Sequence, residues 1–90
     1  MTTHLPQITR LEHAQAIASA HLADRSRHLV HGRHINGRQL WIVASESGRG
    51  EYIVTLTPFE TCSCPDHQRR HVECKHIKAV KLLLGQAVQS

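Results

Sequence analysis

Cys62-Ser63-Cys64-Pro65-Asp66-His67-Gln68-Arg69-Arg70-His71-Val72-Glu73-Cys74-Lys75-His76 is the stretch on which the fold turns, and it holds all three cysteines of a 90-residue chain. An extracellular disulfide framework normally shows an even number of cysteines spread along the sequence. Cys62 and Cys64, one residue apart, are also poorly placed to bridge each other. The spacing suits a metal better. In extended backbone, side chains two apart point to the same side, so Cys-x-Cys offers two thiolates from one short stretch. Cys74 and His76 follow after nine more residues and stand at the entry of a helix, whose positive end favours thiolate charge. A structural zinc is closed by four N or S ligands, and Cys62, Cys64, Cys74 and His76 supply that number. His67 and His71, inside the spacer, are alternatives that would replace His76 or join the set. The remaining histidines, His4, His13, His21, His28, His31 and His34, read as surface or strand-face residues.

Working outward, the string after the last ligand, Ile77-Lys78-Ala79-Val80-Lys81-Leu82-Leu83-Leu84, is helical and stops near Gly85. Ile77, Val80, Leu83 and Leu84 fall on one side of it and Lys75, Lys78 and Lys81 on another. Pro58 and Pro65 hold the backbone around the first two cysteines out of helical geometry. Upstream, a three-stranded antiparallel meander is expected. Its strands run over residues 28–35, 39–45 and 51–57, with Asn36-Gly37 as a two-residue hairpin turn. Tyr52, Val54 and Leu56 share one face of the third strand, and Ile53, Thr55 and Thr57 the other. The middle strand is apolar on both faces, which calls for cover on both sides. A first helix is expected over residues 9–27. Thr9 and Glu12 form a capping box, alanines supply helix propensity, and Ile8, Leu11, Ala14, Ile17, Ala18 and Leu22 form its apolar stripe. The class is α+β.

A Cys-x-Cys, a variable spacer and a Cys-x-His resemble the SWIM zinc finger. The flanks Cys62-Ser63-Cys64-Pro65 and Cys74-Lys75-His76-Ile77, the helix running into Ala79-Val80-Lys81-Leu82-Leu83 and the preceding hairpin are similar too. The resemblance spans roughly residues 28–84, with residues 9–27 outside it, and His67 stands near where that family often has an aromatic. It implies one structural Zn2+ held by Cys62, Cys64, Cys74 and His76, and a role in binding DNA or proteins; the length fits a single domain over 1–90.

Composition narrows the function. The chain has Trp41, Tyr52 and Phe59 as its only aromatics, too few large apolar side chains to dispense with a staple. Lys and Arg number 11 against 7 acids, a net charge of +4. Residues 62–90 hold Arg69, Arg70, Lys75, Lys78 and Lys81 against Asp66 and Glu73. These five cations are the candidate nucleic-acid surface, with contacts mainly to phosphate and DNA favoured over RNA. The alternative is a protein-interaction adaptor that docks through its first helix. A catalytic zinc would need an open position and a base such as Glu73 or Glu60, and no H-E-x-x-H, phosphate loop or Ser/His/Asp set is found, so a non-enzyme is expected. The start Met-Thr-Thr-His-Leu-Pro-Gln-Ile-Thr-Arg lacks an apolar signal core. Leu82-Leu83-Leu84 is the longest aliphatic run, which excludes a spanning helix. An intracellular protein, cytoplasmic or nucleoid-associated, is expected.

Overall fold

The computed structural model describes residues 9–46 and 48–86. Helix α1 (Arg10–Ala23) begins on the expected capping box. Thr9 Oγ1 accepts from the Glu12 backbone N–H at 3.1 Å, and the Glu12 carboxylate accepts from the Thr9 N–H at 3.3 Å. The helix is shorter than residues 9–27 suggested. Asp24 leaves helical geometry and its carboxylate accepts from the Ser26 N–H, starting a separate 3-10 turn over Arg25–Arg27. Aspartate competes with the helix for local backbone donors in this way. Ala14, Ile17 and Ala18 are buried, whereas Leu22 is 54% exposed; Ile8 lies outside the described residues.

The sheet has four strands rather than three, in the order β1 (Val30–Ile35), β2 (Arg38–Ala44), β3 (Glu51–Thr55) and β4 (Thr61–Cys62), all antiparallel neighbours. Asn36 and Gly37 make the β1–β2 turn with φ of 52° and 78°, the left-handed values that such a turn needs. The fourth strand is only two residues long, too short to carry an alternation signal. Its register places Cys62 opposite Val54, and Ser63 continues the edge by donating its N–H to the Ile53 carbonyl. The first ligand therefore sits on the sheet itself.

Pro65 behaves differently from expectation. It keeps Cys64 extended (φ −73°, ψ 154°) but opens a short helix, α2 (Pro65–Arg70), at whose first turn it stands. Proline is favoured there because the missing N–H would have had no partner. Helix α3 (Lys75–Leu83) follows with Cys74 as its N-cap. The core joins one face of each element: Ala14 and Ile17 of α1, Val30, Val43 and Val54 of the sheet, the three cysteines, and Ile77, Ala79 and Val80 of α3, with Trp41 and Tyr52 packed against them. Helix α1 thus packs on α3, which itself lies against β3 and β4, and Ala14 and Ile17 join the core cluster on the inner sheet face. Arg10 of α1 also forms a two-bond ion pair with Asp66 of α2, at 2.7 and 2.9 Å. The outer sheet face has no such layer among the described residues. On it Ile42 is buried, while Ile35 and Ile53 are each 46% exposed.

Candidate metal centre

Each candidate ligand occupies a different local setting. Cys62 ends β4, Cys64 is the N-cap of α2, Cys74 is the N-cap of α3, and His76 lies in the first turn of α3. Two helix starts therefore converge on one point. The Cys64 sulfur accepts from the His67 N–H at 3.4 Å, so an otherwise unpartnered donor of the helix end is used by a ligand.

The ligand atoms of Cys62, Cys64, Cys74 and His76 all lie within 4.8 Å of one another, and all four residues are buried. The His76 ring presents Nδ1 to the sulfurs, 3.7 Å from Cys62 Sγ and 3.9 Å from Cys74 Sγ. Ligands about 2.0–2.3 Å from a tetrahedral zinc stand roughly 3.4–3.8 Å from each other, so this spacing fits a zinc ion. Tyr52 supports the imidazole, with ring centroids 4.5 Å apart and a 36° tilt. His76 Nε2 is buried with no hydrogen-bond partner among the described residues.

The sulfur chemistry points the same way. Cys74 is lowered to about 4, first by its contact with Cys62, with further help from His76 and the Ile77 N–H. Cys62 is pushed up, first by Cys74 and then by burial, and Cys64 is pushed up chiefly by burial. Three buried thiols this close hold one negative charge comfortably and resist the others. A dication removes that conflict and lets all three ionise. The four residues fit one structural Zn2+, closed by protein side chains.

The spacer histidines do not join this cluster. His67 Nδ1 bonds to the Val72 carbonyl at 2.7 Å, and His71, at the end of α2 with φ 52°, is exposed. Their rings meet edge to face with centroids 6.4 Å apart.

The proposed basic surface beside the metal needs correction. Lys78 and Lys81 are buried, at 5% and 8% exposure. Lys78 Nζ pairs with Glu73 at 3.1 Å, and Lys81 Nζ pairs with Glu73 at 2.6 Å and also with Glu60. Burial alone would depress Lys81, but these two carboxylates outweigh it and hold its ammonium above the ordinary lysine value. Lysine spacing on a helix shows a shared face but not that the face is solvated; here the 71–74 segment and Glu60 cover it. The same pairs occupy Glu73 and Glu60, the carboxylates considered as bases. Lys75 pairs with Glu46, whose carboxyl is pushed up by burial but held low on balance by Lys75 and His13. Arg70 lies 3.9 Å from Asp66, while Arg69 is exposed. Asp66 is held below the usual carboxylate range, first by its Arg10 hydrogen bonds.

No helix among the described residues is long and apolar enough to cross a membrane. The family model of the SWIM zinc finger matches residues 52–85, a narrower span than the roughly 28–84 suggested by resemblance, so α1, β1 and β2 fall outside it. No curated protein and no solved structure matches the chain. The matched span starts in β3, ends just after α3 and encloses the whole Cys3His cluster, so residues 52–85 are similar to a SWIM zinc finger both in sequence and in the placement of the four ligands.

Proposed function

We propose that this chain is a non-enzymatic nucleic-acid-binding module, acting on DNA in preference to RNA inside the cell, with Cys62, Cys64, Cys74 and His76 holding one structural zinc. The observation that carries this reading is where the surplus charge resides. Around the finger, Arg10, Arg70, Lys75, Lys78 and Lys81 meet Asp66, Glu46, Glu73 and Glu60 in ion pairs. Residues 25–45, by contrast, contain Arg25, Arg27, Arg33 and Arg38 and no carboxylate. All four arginines are exposed, and none forms an ion pair among the described residues, although Arg27 lies close enough to Asp24 to help hold its carboxyl low. Exposed arginines in an acid-free segment attract a polyanion and contact phosphate.

Fluorescence anisotropy of zinc-loaded protein with duplex and single-stranded DNA over a salt series tests this. Four phosphate contacts predict a slope of log K on log [salt] near about −3.6 for duplex. Single strands should bind less well, because the few aromatics offer little stacking. Undetectable binding at low salt would overturn the reading.

A protein adaptor is the second reading. Docking through α1 loses support, since Ala14, Ile17 and Ala18 are buried in the core. What favours an adaptor is the outer sheet face, where Ile35 and Ile53 are half-exposed.

A further inference from the structure

Arg33 and Arg38 lie on the β1–β2 hairpin, a part of the chain outside the residues that match the SWIM zinc finger. We propose that the tip of this hairpin enters the major groove of duplex DNA, with Arg33 and Arg38 as the principal phosphate contacts; this inference rests on the nucleic-acid reading.

The hairpin is anchored at one end and free at the other. Val30 and Val43 pair at its base and are buried in the core. Trp41, opposite Gly32, packs against that core and closes its edge. A Cβ at residue 32 would lie 3.1 Å from the Trp41 ring and 2.7 Å from the Gln39 amide, so the glycine lets both side chains lie across the strand. Beyond this point every residue from Gly32 to Arg38 is exposed. Four strand residues, Gly32 to Ile35, extend about 13 Å. The major groove is about 8.5 Å deep and about 12 Å wide, and a two-stranded ribbon fits it. The tip therefore reaches the floor before the body of the protein meets the backbone.

The register decides what the tip presents. Ile35 pairs with Arg38 and Arg33 with Leu40, so Arg33 and Arg38 are diagonal neighbours on one face, their Cα atoms about 7–8 Å apart. His31, opposite Ile42, continues that face. His34 and Gln39 lie on the other, where the Gln39 amide is already bonded to the Arg33 and Leu40 carbonyls. The turn adds the Asn36 side chain. Glu51, opposite Ala44, is the only carboxylate on β1, β2 or β3, and it sits at the far end from the tip. Both arginines are thus fixed in direction by the ladder while their charges stay unopposed. The zinc-side cations lack this combination.

Zinc-loaded wild type and the Arg33→Ala/Arg38→Ala variant are compared on one duplex by anisotropy between 50 and 400 mM salt. Unchanged zinc content and melting temperature show that the fold is intact. Losing two phosphate contacts lowers affinity about 60-fold at 0.1 M salt and flattens the salt slope by about 1.8. Arg33→Lys/Arg38→Lys keeps the slope, and Arg69→Ala, on the finger side, keeps the affinity. If wild type binds and the double alanine variant binds equally well, the hairpin assignment is wrong while the nucleic-acid reading survives. If wild type itself does not bind, both fall, and an unfolded-state explanation is removed by its zinc content and melting curve.

Discussion

Glu73 is the side chain whose loss should cost this small protein most outside the zinc ligands. Its carboxylate accepts from Lys78 at 3.1 Å and Lys81 at 2.6 Å, with side-chain exposures of 4%, 6% and 10% for the three groups. Glu73→Gln keeps the volume and one acceptor but leaves two buried ammoniums facing a neutral amide, with Glu60 still available to Lys81. Breaking a buried pair by removing one partner costs about 3–5 kcal/mol. The retained amide oxygen puts this change near the lower end, about 3 kcal/mol. A domain of this length has about 5–13 kcal/mol in total, so a large fraction would go. Urea unfolding of zinc-loaded protein at fixed excess zinc reads it as a lower midpoint at unchanged slope. The triple change Glu73→Leu/Lys78→Met/Lys81→Met removes the whole buried set. It should recover stability to within about 1 kcal/mol of wild type or exceed it, because the desolvation cost of the charges disappears. It should also leave DNA affinity unaltered, since these lysines are not on the binding surface. A loss below about 1 kcal/mol for Glu73→Gln would refute the reasoning that the lysines are buried and dependent on this carboxylate.

Further expectations follow from other sites. Cys74→Ala removes the N-cap sulfur of α3 and should abolish stoichiometric zinc and native far-UV dichroism together, since structural zinc contributes on the order of 10 kcal/mol or more; a folded, zinc-free variant of native stability would contradict a structural role. Lys81 has its folded value raised by Glu60 and Glu73 against the opposing effect of burial. Its stabilisation is therefore complete below the unfolded value of about 10.4 and is lost as pH rises through the higher folded value. Urea midpoints measured from pH 9 to 12 should fall more for wild type than for Lys81→Met. Gly32→Val should cost about 1–3 kcal/mol by displacing Trp41, seen as a lower melting temperature and a changed tryptophan emission.

Much of this was legible because short-range chemistry decided it. The Thr9–Glu12 box, the left-handed Asn36-Gly37 turn and the two faces of β3 depend on neighbours in sequence, and each appears where the residues place it. The metal quartet was legible for the same reason: Cys-x-Cys and Cys-x-His each bring two donors together locally, leaving only the closure between them to the fold. Asp24 and Pro65 show how short-range rules can still mislead, since one residue served as a helix stop and the other as a helix start.

What the sequence alone determined is the α+β class, the capping and turn chemistry, and a site for one structural zinc, all set by backbone preference and ligand spacing. Only the tertiary structure decided which charges are available. Three lysines at helical spacing look like an exposed face until Glu73 and Glu60, brought in by the spacer and the β3–β4 turn, bury and neutralise two of them. Scattered arginines on β1 and β2 look unremarkable until the register sets Arg33 and Arg38 on one face of a ribbon clear of the core. Whether a charge meets water or a carboxylate depends on contacts between residues distant in the chain, and no local pattern records them.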